Sequence, residues 1–434
     1  MKKIILTLII PVIALAVGFF AGQLFSKPAV FNIKQTSGNN STLDNAWDNF
    51  IRAQQEALTL VQAQPFYQDS QSKAEGYRAL LYAIVGSIKS GALMEHEYPR
   101  FMRAVDWSSK SGLDNPDNNY YIALIDDDSD YKIIGTRGST IGLVFQLVVG
   151  QPGVKGAGSS TNVSVLDSQD MIISPNGNFE IIVSRNNPGK GVNWLPNAEG
   201  AETILARYTH NNWQTERAGE LLIEKLGPRT SQKPALTEAM LAEKLNNTAI
   251  SLFDRTATWL GFSNKLWKFS PQNSISESRE STGGLPGQYS AFGSWELGGD
   301  EALILTTHPV GAAYQGIELG SRWFVSLEYE HRTSTLTPAQ SYQSSDGLYH
   351  YIISANDPGV QNWLDTEGHK TGLIMMRWQG LKNELPKHAQ PSIRRVKFDR
   401  IRDLLPADVP IFTKNERQEQ IRVRSRSVQA RFRG

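Results

Sequence analysis

Two arginines lie inside apolar runs of the sequence, Arg207 in ILARY and Arg377 in IMMRW. A charge inside a strand is costly unless it is paired, so one hypothesis is that each arginine binds a carboxylate within the fold. The alternative is an anion-binding site, because a guanidinium group matches a carboxylate, sulfate or phosphate with two parallel hydrogen bonds. Arg137, at the end of a predicted strand, is a third candidate for the same chemistry.

An Asn-Trp-Leu turn precedes each of these runs, with Asn193 and Trp194 in the first and Asn362 and Trp363 in the second. An asparagine amide can bond the local backbone of a turn. A tryptophan offers a large apolar face and one N–H donor. These pairs predict either a structural turn whose indole closes the end of a β-sandwich, or a rim that stacks on a sugar ring or another flat ligand.

Three further residues, Asp365, His369 and Trp378, cluster around Arg377 in the sequence and make the second turn a candidate ligand site. A cupin-like metal site would need several histidines and carboxylates that point into one barrel. The sequence has no His-x-His pair, so exposed or hydrogen-bonded histidines are the favoured interpretation. It also lacks the GxSxG, HExxH, Walker and dinucleotide-binding patterns. No metal and no cofactor is therefore predicted.

Composition limits the class of protein further. The chain has 434 residues, which favours two to three domains, and its 40% apolar content excludes wholesale disorder. The formal net charge of +1 gives no overall electrostatic reason to expect nucleic acid as a partner. There is no cysteine, which excludes disulfides, thiolate metal sites and cysteine nucleophiles.

The N-terminus predicts where the chain resides. Two lysines precede an uncharged, mostly apolar run at 4–25, and about 20 such residues cross a hydrocarbon core. The lysines favour a cytoplasmic N-terminus. We expect a single-pass anchor in the cytoplasmic membrane, with the rest of the chain in the periplasm or outside. A cleaved signal peptide followed by secretion is the alternative.

The most informative pattern is an internal repeat. With an offset of 170 residues, SPNGNFEIIVSRNNPG at 174–189 aligns with SSDGLYHYIISANDPG at 344–359 without a gap. The two Asn-Trp-Leu turns and the two Arg-aromatic runs follow at about the same offset. A single offset through turn, strand, turn and strand predicts two homologous β-sandwich or jelly-roll lobes. Helical spacing of apolar residues predicts helices before each lobe, including one at 216–226, and β-rich runs predict strands in the second lobe, including one at 323–329.

These same motifs resemble a known family. RWFVSLEY, NDPGVQNWLD and the closing MRW, together with NWLP and ARY in the first lobe, are similar to family 1214 of the bacterial domains of unknown function. The second lobe has Asp365 where that family has proline. DNPDNNYY at 114–121 is similar to the Asn-rich motif of the partner family 1254. The resemblance implies a pair of antiparallel β-sandwich lobes, and it implies no activity.

The C-terminus carries six arginines in its last 18 residues. Thr413 and Glu416 have the spacing of a capping box that opens a helix. Such a helix either packs onto a lobe or contacts anionic lipid or polysaccharide.

The predicted fold class is mainly β with flanking helices, α+β in type, behind an N-terminal transmembrane anchor. In chain order the predicted layout is a transmembrane anchor or signal (1–26), a tether (27–42), a helical segment (43–118), a first β lobe (119–215), a helical connector (216–275), a second β lobe (276–381) and an Arg-rich helical tail (382–434).

Three functions stay open at this point. The favoured one is a membrane-anchored protein that binds a small molecule or carbohydrate-like ligand between the two lobes, because clefts between lobes favour ligands. The second is an enzyme of hydrolase or lyase type on a small apolar or anionic substrate. The third is a structural subunit of an envelope complex. No pattern in the sequence indicates an oligomeric state.

Overall fold

The computed structural model describes residues 30–34, 41–154, 160–227, 232–281, 284–381 and 383–432. Among these residues, no helix has the length and apolarity needed to cross a membrane. The predicted anchor at 4–25 and most of the predicted tether lie outside the described residues. The helices are α1 (Thr42–Gln62), α2 (Ser70–Ile88), α3 (Glu238–Phe269), α4 (Ile401–Leu404) and α5 (Lys414–Arg431).

The three longer helices of the first 270 residues, α1, α2 and α3, share one hydrophobic cluster. α1 begins at a capping box in which the Ser41 hydroxyl accepts from the Asp44 N–H and the Asp44 carboxylate accepts from the Ser41 N–H. Trp323 and Val325, which come from the second half of the chain, are buried in the same cluster. The helical layer is therefore fixed onto the second half.

Two sheets and one core make up the first half. The strands are β1 (Met102–Val105), β2 (Asn118–Leu124), β3 (Tyr131–Thr136), β4 (Gly142–Val149), β5 (Asn162–Asp167), β6 (Asn178–Ser184), β7 (Asn193–Pro196), β8 (Ala201–Thr209) and β9 (Leu221–Lys225). One sheet has the order β1-β2-β8-β4-β5 and the other β7-β6-β3-β9. Alternate side chains of both sheets, among them Ile133, Phe145 and Ile204, are fully buried in one cluster.

The second half is built in the same way. Its strands are β10 (Ser274–Ile275), β11 (Arg279–Glu280), β12 (Tyr289–Glu296), β13 (Glu301–Thr307), β14 (Tyr314–Gly320), β15 (Thr335–Leu336), β16 (Tyr349–Ser354), β17 (Trp363–Asp365), β18 (Thr371–Gln379) and β19 (Ser392–Lys397). One sheet has the order β10-β12-β18-β14-β15, with β11 beside β12, and the other β17-β16-β13-β19. Leu305, Tyr351 and Ile374 lie in their common core.

The strand orders of the two halves correspond, except that β11 has no counterpart among the described strands of the first half. β1 corresponds to β10, and β2–β9 correspond to β12–β19. The parallel pair β6–β7 recurs as the parallel pair β16–β17, whereas the other pairings are antiparallel. The register also corresponds, because Gln146 lies opposite Leu205 and Glu318 lies opposite Met375. The predicted class, mainly β with antiparallel sheets and several helices, is confirmed.

Three predicted elements differ from the structure. The predicted helix at 216–226 contains β9 instead, because Ile223 alternates between exposed neighbours and enters the core while the strand pairs with β3. The segment Trp323–Tyr329 is irregular rather than a strand: Phe324 has a φ of +61°, and Trp323, Phe324 and Val325 are all buried. The predicted helical tail includes β19, which completes the second small sheet.

Candidate functional site

The two Asn-Trp turns make the same contacts in both halves. Asn193 accepts a hydrogen bond from the Ile172 N–H at 2.6 Å and donates to the Ile172 carbonyl at 2.9 Å. Asn362 makes the same pair of bonds with the backbone of Tyr342, each at 2.7 Å. Asn193 lies on the edge strand β7 and Asn362 lies immediately before the edge strand β17, and each amide binds the backbone of a segment that precedes it within its own half.

The indoles beside them are used in a similar way. Trp194 Nε1 donates to the Ser184 carbonyl at 3.0 Å, and Trp363 Nε1 donates to the Ser354 carbonyl at 3.1 Å. The two tryptophans lie on β7 and β17, which belong to different sheets. Trp363 is buried and lies below the guanidinium group of Arg417, 5.0 Å from ring centroid to Cζ.

The arginines in the apolar strands have partners at corresponding positions, but one partner is an amide and the other is a carboxylate. Arg377 contacts Glu318 at 2.7 Å and donates to the Leu113 carbonyl at 2.7 Å. Arg207 donates to the side-chain carbonyl of Gln146, the position that corresponds to Glu318. Burial raises the pKa of Glu318 to about 8, although the charge of Arg377 opposes this shift. Burial lowers the pKa of Arg207 to about 10.

Two other predicted site residues lie apart from these pairs. Trp378 is fully buried in the core of the second half. Arg137 donates to Thr140 Oγ1 at 3.1 Å, and burial lowers its pKa. Trp378 therefore packs within the second half, and Arg137 makes its hydrogen bond within the first half.

Asp365 and His369, in contrast, belong to a cluster of charged groups where α2 meets the second half. His369 Nε2 lies 3.0 Å from Glu75 Oε1, and one ligand-type atom from each of Glu75, Glu367 and His369 lies within 4.8 Å of the others. Asp365 accepts from Arg332 at 2.8 Å. Glu75 stands 294 positions before His369 in the chain, so no local sequence pattern pairs them.

The pKa values of Glu367 and His369 in this cluster are both raised, by different causes. Burial raises the pKa of Glu367. Burial lowers the pKa of His369, but the hydrogen bond and charge of Glu75 and the charge of Glu367 outweigh it, so the net pKa is raised. The cluster can exchange a proton between imidazole and carboxylate. Because Glu75 belongs to α2, the protonated imidazole also links that helix to the second half.

We expect part of the free energy of unfolding to depend on the charge of His369. Its folded pKa lies above the unfolded value of about 6.5, so its contribution is complete below that pH and is lost as pH rises through the folded pKa. Urea unfolding at pH 5.5 and 8.5 should show a smaller pH dependence for His369→Gln than for the wild type. His331→Gln, at an exposed position, is the control. Equal pH dependence in all three proteins would contradict this role of His369.

The Arg-rich helix α5 joins the two halves. Arg417, Arg424 and Arg431 recur every seven residues, lie on one face and are buried. Arg424 donates to the Tyr329 and Thr335 carbonyls at 2.6 and 2.8 Å in the second half. Arg424 and Arg431 also lie over the Trp213 ring of the first half, 4.4 and 4.0 Å from its centroid. The seven-residue spacing was a signal in the sequence that marks these three arginines as a set.

The capping box that opens α5 is present as predicted, with Thr413 and Glu416 bonded to each other's backbone N–H. Within the helix, Arg417 binds Asp357 at 2.9 Å and the Val360 carbonyl at 2.6 Å. Buried arginines with protein partners are not available to a lipid or polysaccharide surface. Arg422 and Arg426 remain exposed.

A groove of about 380 Å³ lies between α5 and loops of both halves. Its floor includes the buried Trp213 and Arg424, and its rim is mostly polar. The remaining lining residues are Asn212, Gln214, Ala339, Gln340, Gln361, Phe412, Glu416, Glu419, Gln420, Val423 and Ser427. The predicted site residue Asn362 is next in sequence to Gln361, which lines the groove.

Comparison with known proteins finds a similar solved structure but indicates no activity for this chain. The chain is similar over 83% of its length to an uncharacterised protein from Burkholderia cenocepacia, of which it covers 99%, with a TM-score of 0.76 and 26% sequence identity. The VPA0106 protein from Vibrio parahaemolyticus aligns over 82% of this chain and 100% of its own, with a TM-score of 0.42 and 11% identity. No family model matches the chain, and no curated protein matches it.

Proposed function

We propose that this chain is a duplicated β-sandwich protein that binds a small, carbohydrate-like ligand in the groove between its two lobes and α5. The single observation that carries the proposal is that groove, with its volume of about 380 Å³ and its contributions from both halves. Ligand pockets of about 300–1,000 Å³ at the junction of structural units are typical of small-molecule sites.

The chemistry of the groove favours a ligand rich in hydroxyl groups. Gln214, Gln340, Gln361 and Gln420 carry side-chain amides, each of which can donate and accept hydrogen bonds. Phe412 adds apolar surface of the kind that packs against a sugar ring. Two exposed glutamates at the rim make an anionic ligand less favourable than a neutral one.

Two homologous sandwich lobes, as in the family that the sequence resembles, are part of the same proposal. Support comes from the corresponding strand order and from the equivalent pairs Arg207–Gln146 and Arg377–Glu318. Strand pairing and buried pairs at corresponding register positions are what a duplication of one unit leaves behind.

We also propose that the chain is anchored in the cytoplasmic membrane by residues 4–25, with both lobes outside the cytoplasm. The two lysines before this apolar run and its length support that placement. Fractionation of cells that express the full chain tests it, because an anchored chain stays with the membranes after a salt wash.

The groove predicts a loss of ligand binding when it is filled. Ala339 is an exposed lining residue, so Ala339→Trp should place an indole across the groove without disturbing a core. We expect at least one of glucose, galactose, N-acetylglucosamine or their disaccharides to bind the wild type in a calorimetric titration. Ala339→Trp should weaken that binding at least tenfold.

The matched control is Ala74→Trp, at an exposed position on α2 that does not line the groove, and it should bind like the wild type. Absence of saccharide binding to the wild type, or equal binding by Ala339→Trp, would contradict the proposed function.

A further inference from the structure

A second, smaller pocket lies under the helical layer, away from the groove. It is bounded by α2, α3 and the segments 104–111 and 323–325, and its volume is about 40 Å³. Most of its wall is apolar, from Leu80, Leu260, Trp259 and Phe324. Gly86 on α2 also lines it, and a Cβ at that position would meet no atom within 4 Å. The pocket is partly open to solvent.

Arg255 on α3 brings a positive charge to this pocket. Its Nε donates to Ser251 Oγ at 3.0 Å and its Nη2 to Ser90 Oγ at 3.3 Å. Both serines are neutral and buried, and no carboxylate of the described chain pairs with Arg255. Although the side chain as a whole is half-buried, the guanidinium group lies deep enough that burial lowers its pKa to about 10.

A guanidinium group without a counter-charge is unusual in such a place, because buried charges are ordinarily paired. Among the other buried arginines of the described residues, Arg417 binds Asp357, and Arg424, which has no carboxylate partner there, donates to two backbone carbonyls. Within the same part of the chain, Arg255 has only two serine hydroxyls as partners. Lys110 also lines the pocket, but it donates to the Ser326 and Leu327 carbonyls and interacts with the charges of three carboxylates, those of Asp114, Glu328 and Glu367. The pocket therefore combines an uncompensated cation with an apolar wall.

The size of the pocket limits what can enter. A cavity of about 150 Å³ accommodates benzene, so about 40 Å³ excludes an aromatic body and admits a chain of two or three carbons. We propose that this pocket binds a short-chain monocarboxylate, with the carboxylate on Arg255 and the alkyl group against Trp259 and Phe324. This site is separate from the groove and does not depend on the function proposed for it.

Propionate is the test ligand, and 1-propanol is its neutral counterpart of similar size. We expect ligand-observed NMR with the full-length chain to show propionate binding, with 1-propanol at least tenfold weaker. Arg255→Met should lose at least tenfold in affinity, since it removes the charge and keeps the length of the side chain. Gly86→Leu should lose a similar factor by filling the pocket, and helix propensity favours its folding.

Gly261→Leu is the matched control. It lies on α3, is exposed, and a Cβ there also meets no atom within 4 Å, so it should bind propionate like the wild type. Any of three results would overturn the proposal: no propionate binding to the wild type, binding by Gly86→Leu and Arg255→Met as tight as by the wild type, or displacement of propionate by an equal concentration of chloride. Circular dichroism of each variant establishes that it is folded.

Discussion

Replacing Arg424 by alanine is expected to destabilise the fold by roughly 3 kcal/mol, because two buried carbonyls lose a charged donor. These acceptors belong to Tyr329 and Thr335, at 2.6 and 2.8 Å from the guanidinium nitrogens. The variant also loses the contact with the Trp213 ring, which ties α5 to the first half. Urea unfolding at neutral pH measures the change in free energy.

The control for this variant is Arg426→Ala on the same helix. Arg426 is exposed, so its removal should change the free energy of unfolding by less than about 0.5 kcal/mol. Equal effects of the two substitutions would mean that α5 is held by something other than its buried arginines. A loss of stability in Arg424→Ala alone supports the interpretation that the buried arginines of α5 hold the two halves together.

The repeat was the part of the architecture that sequence could predict well. Its 170-residue offset depends on turn residues such as Gly177 and Gly347, which have φ values of +87° and +82°. Few residues other than glycine adopt this backbone conformation at low cost, so the turns keep their residue type when other positions change. Alternation in the strands between them sets which side chains enter the core. Both the turn glycines and the strand alternation are local patterns, and local patterns can be recognised in a single sequence.

Contacts between distant segments could not be predicted in the same way. His369 was recognised as a candidate, but its partner Glu75 comes from α2. Arg255 has an ordinary place in an amphipathic helix, and only the fold shows that none of the described carboxylates pairs with it. The groove is formed by loops of both halves and α5, so its shape depends on how three separately encoded units pack. The misassigned strand β9 shows the same limit, since its five residues gain their register from β3.

The two halves differ at one corresponding buried pair, which makes each half a control for the other. Gln146 pairs its side-chain carbonyl with Arg207 and donates through Nε2 to the Gly284 carbonyl at 3.0 Å. In the second half Glu318 takes the same position and faces Arg377. The first half therefore already accommodates an amide beside its arginine, and Glu318→Gln reproduces that arrangement in the second half.

Glu318→Gln is expected to become more stable than the wild type as pH rises. The carboxyl pKa is about 8 in the folded state and about 4.3 in the unfolded state, so the folded protein holds a proton that the unfolded chain has released between these values. Stability of the wild type therefore falls as pH rises from about 4.3 to 8, by an amount on the order of a few kcal/mol. Glutamine cannot titrate, so the variant does not share this fall.

Urea unfolding of both proteins at pH 5 and pH 8.5 measures this difference directly. The two free energies should be similar at pH 5, where Glu318 is protonated in the folded state, and should separate in favour of the variant at pH 8.5. The reciprocal substitution, Gln146→Glu, places a second titrating carboxyl beside Arg207 in the first half. It should steepen the same pH dependence, because burial at that position is equally complete. Parallel pH profiles for all three proteins would contradict this prediction, because they would mean that Glu318 ionises in the folded state as easily as in water and that the charge of Arg377 offsets its burial.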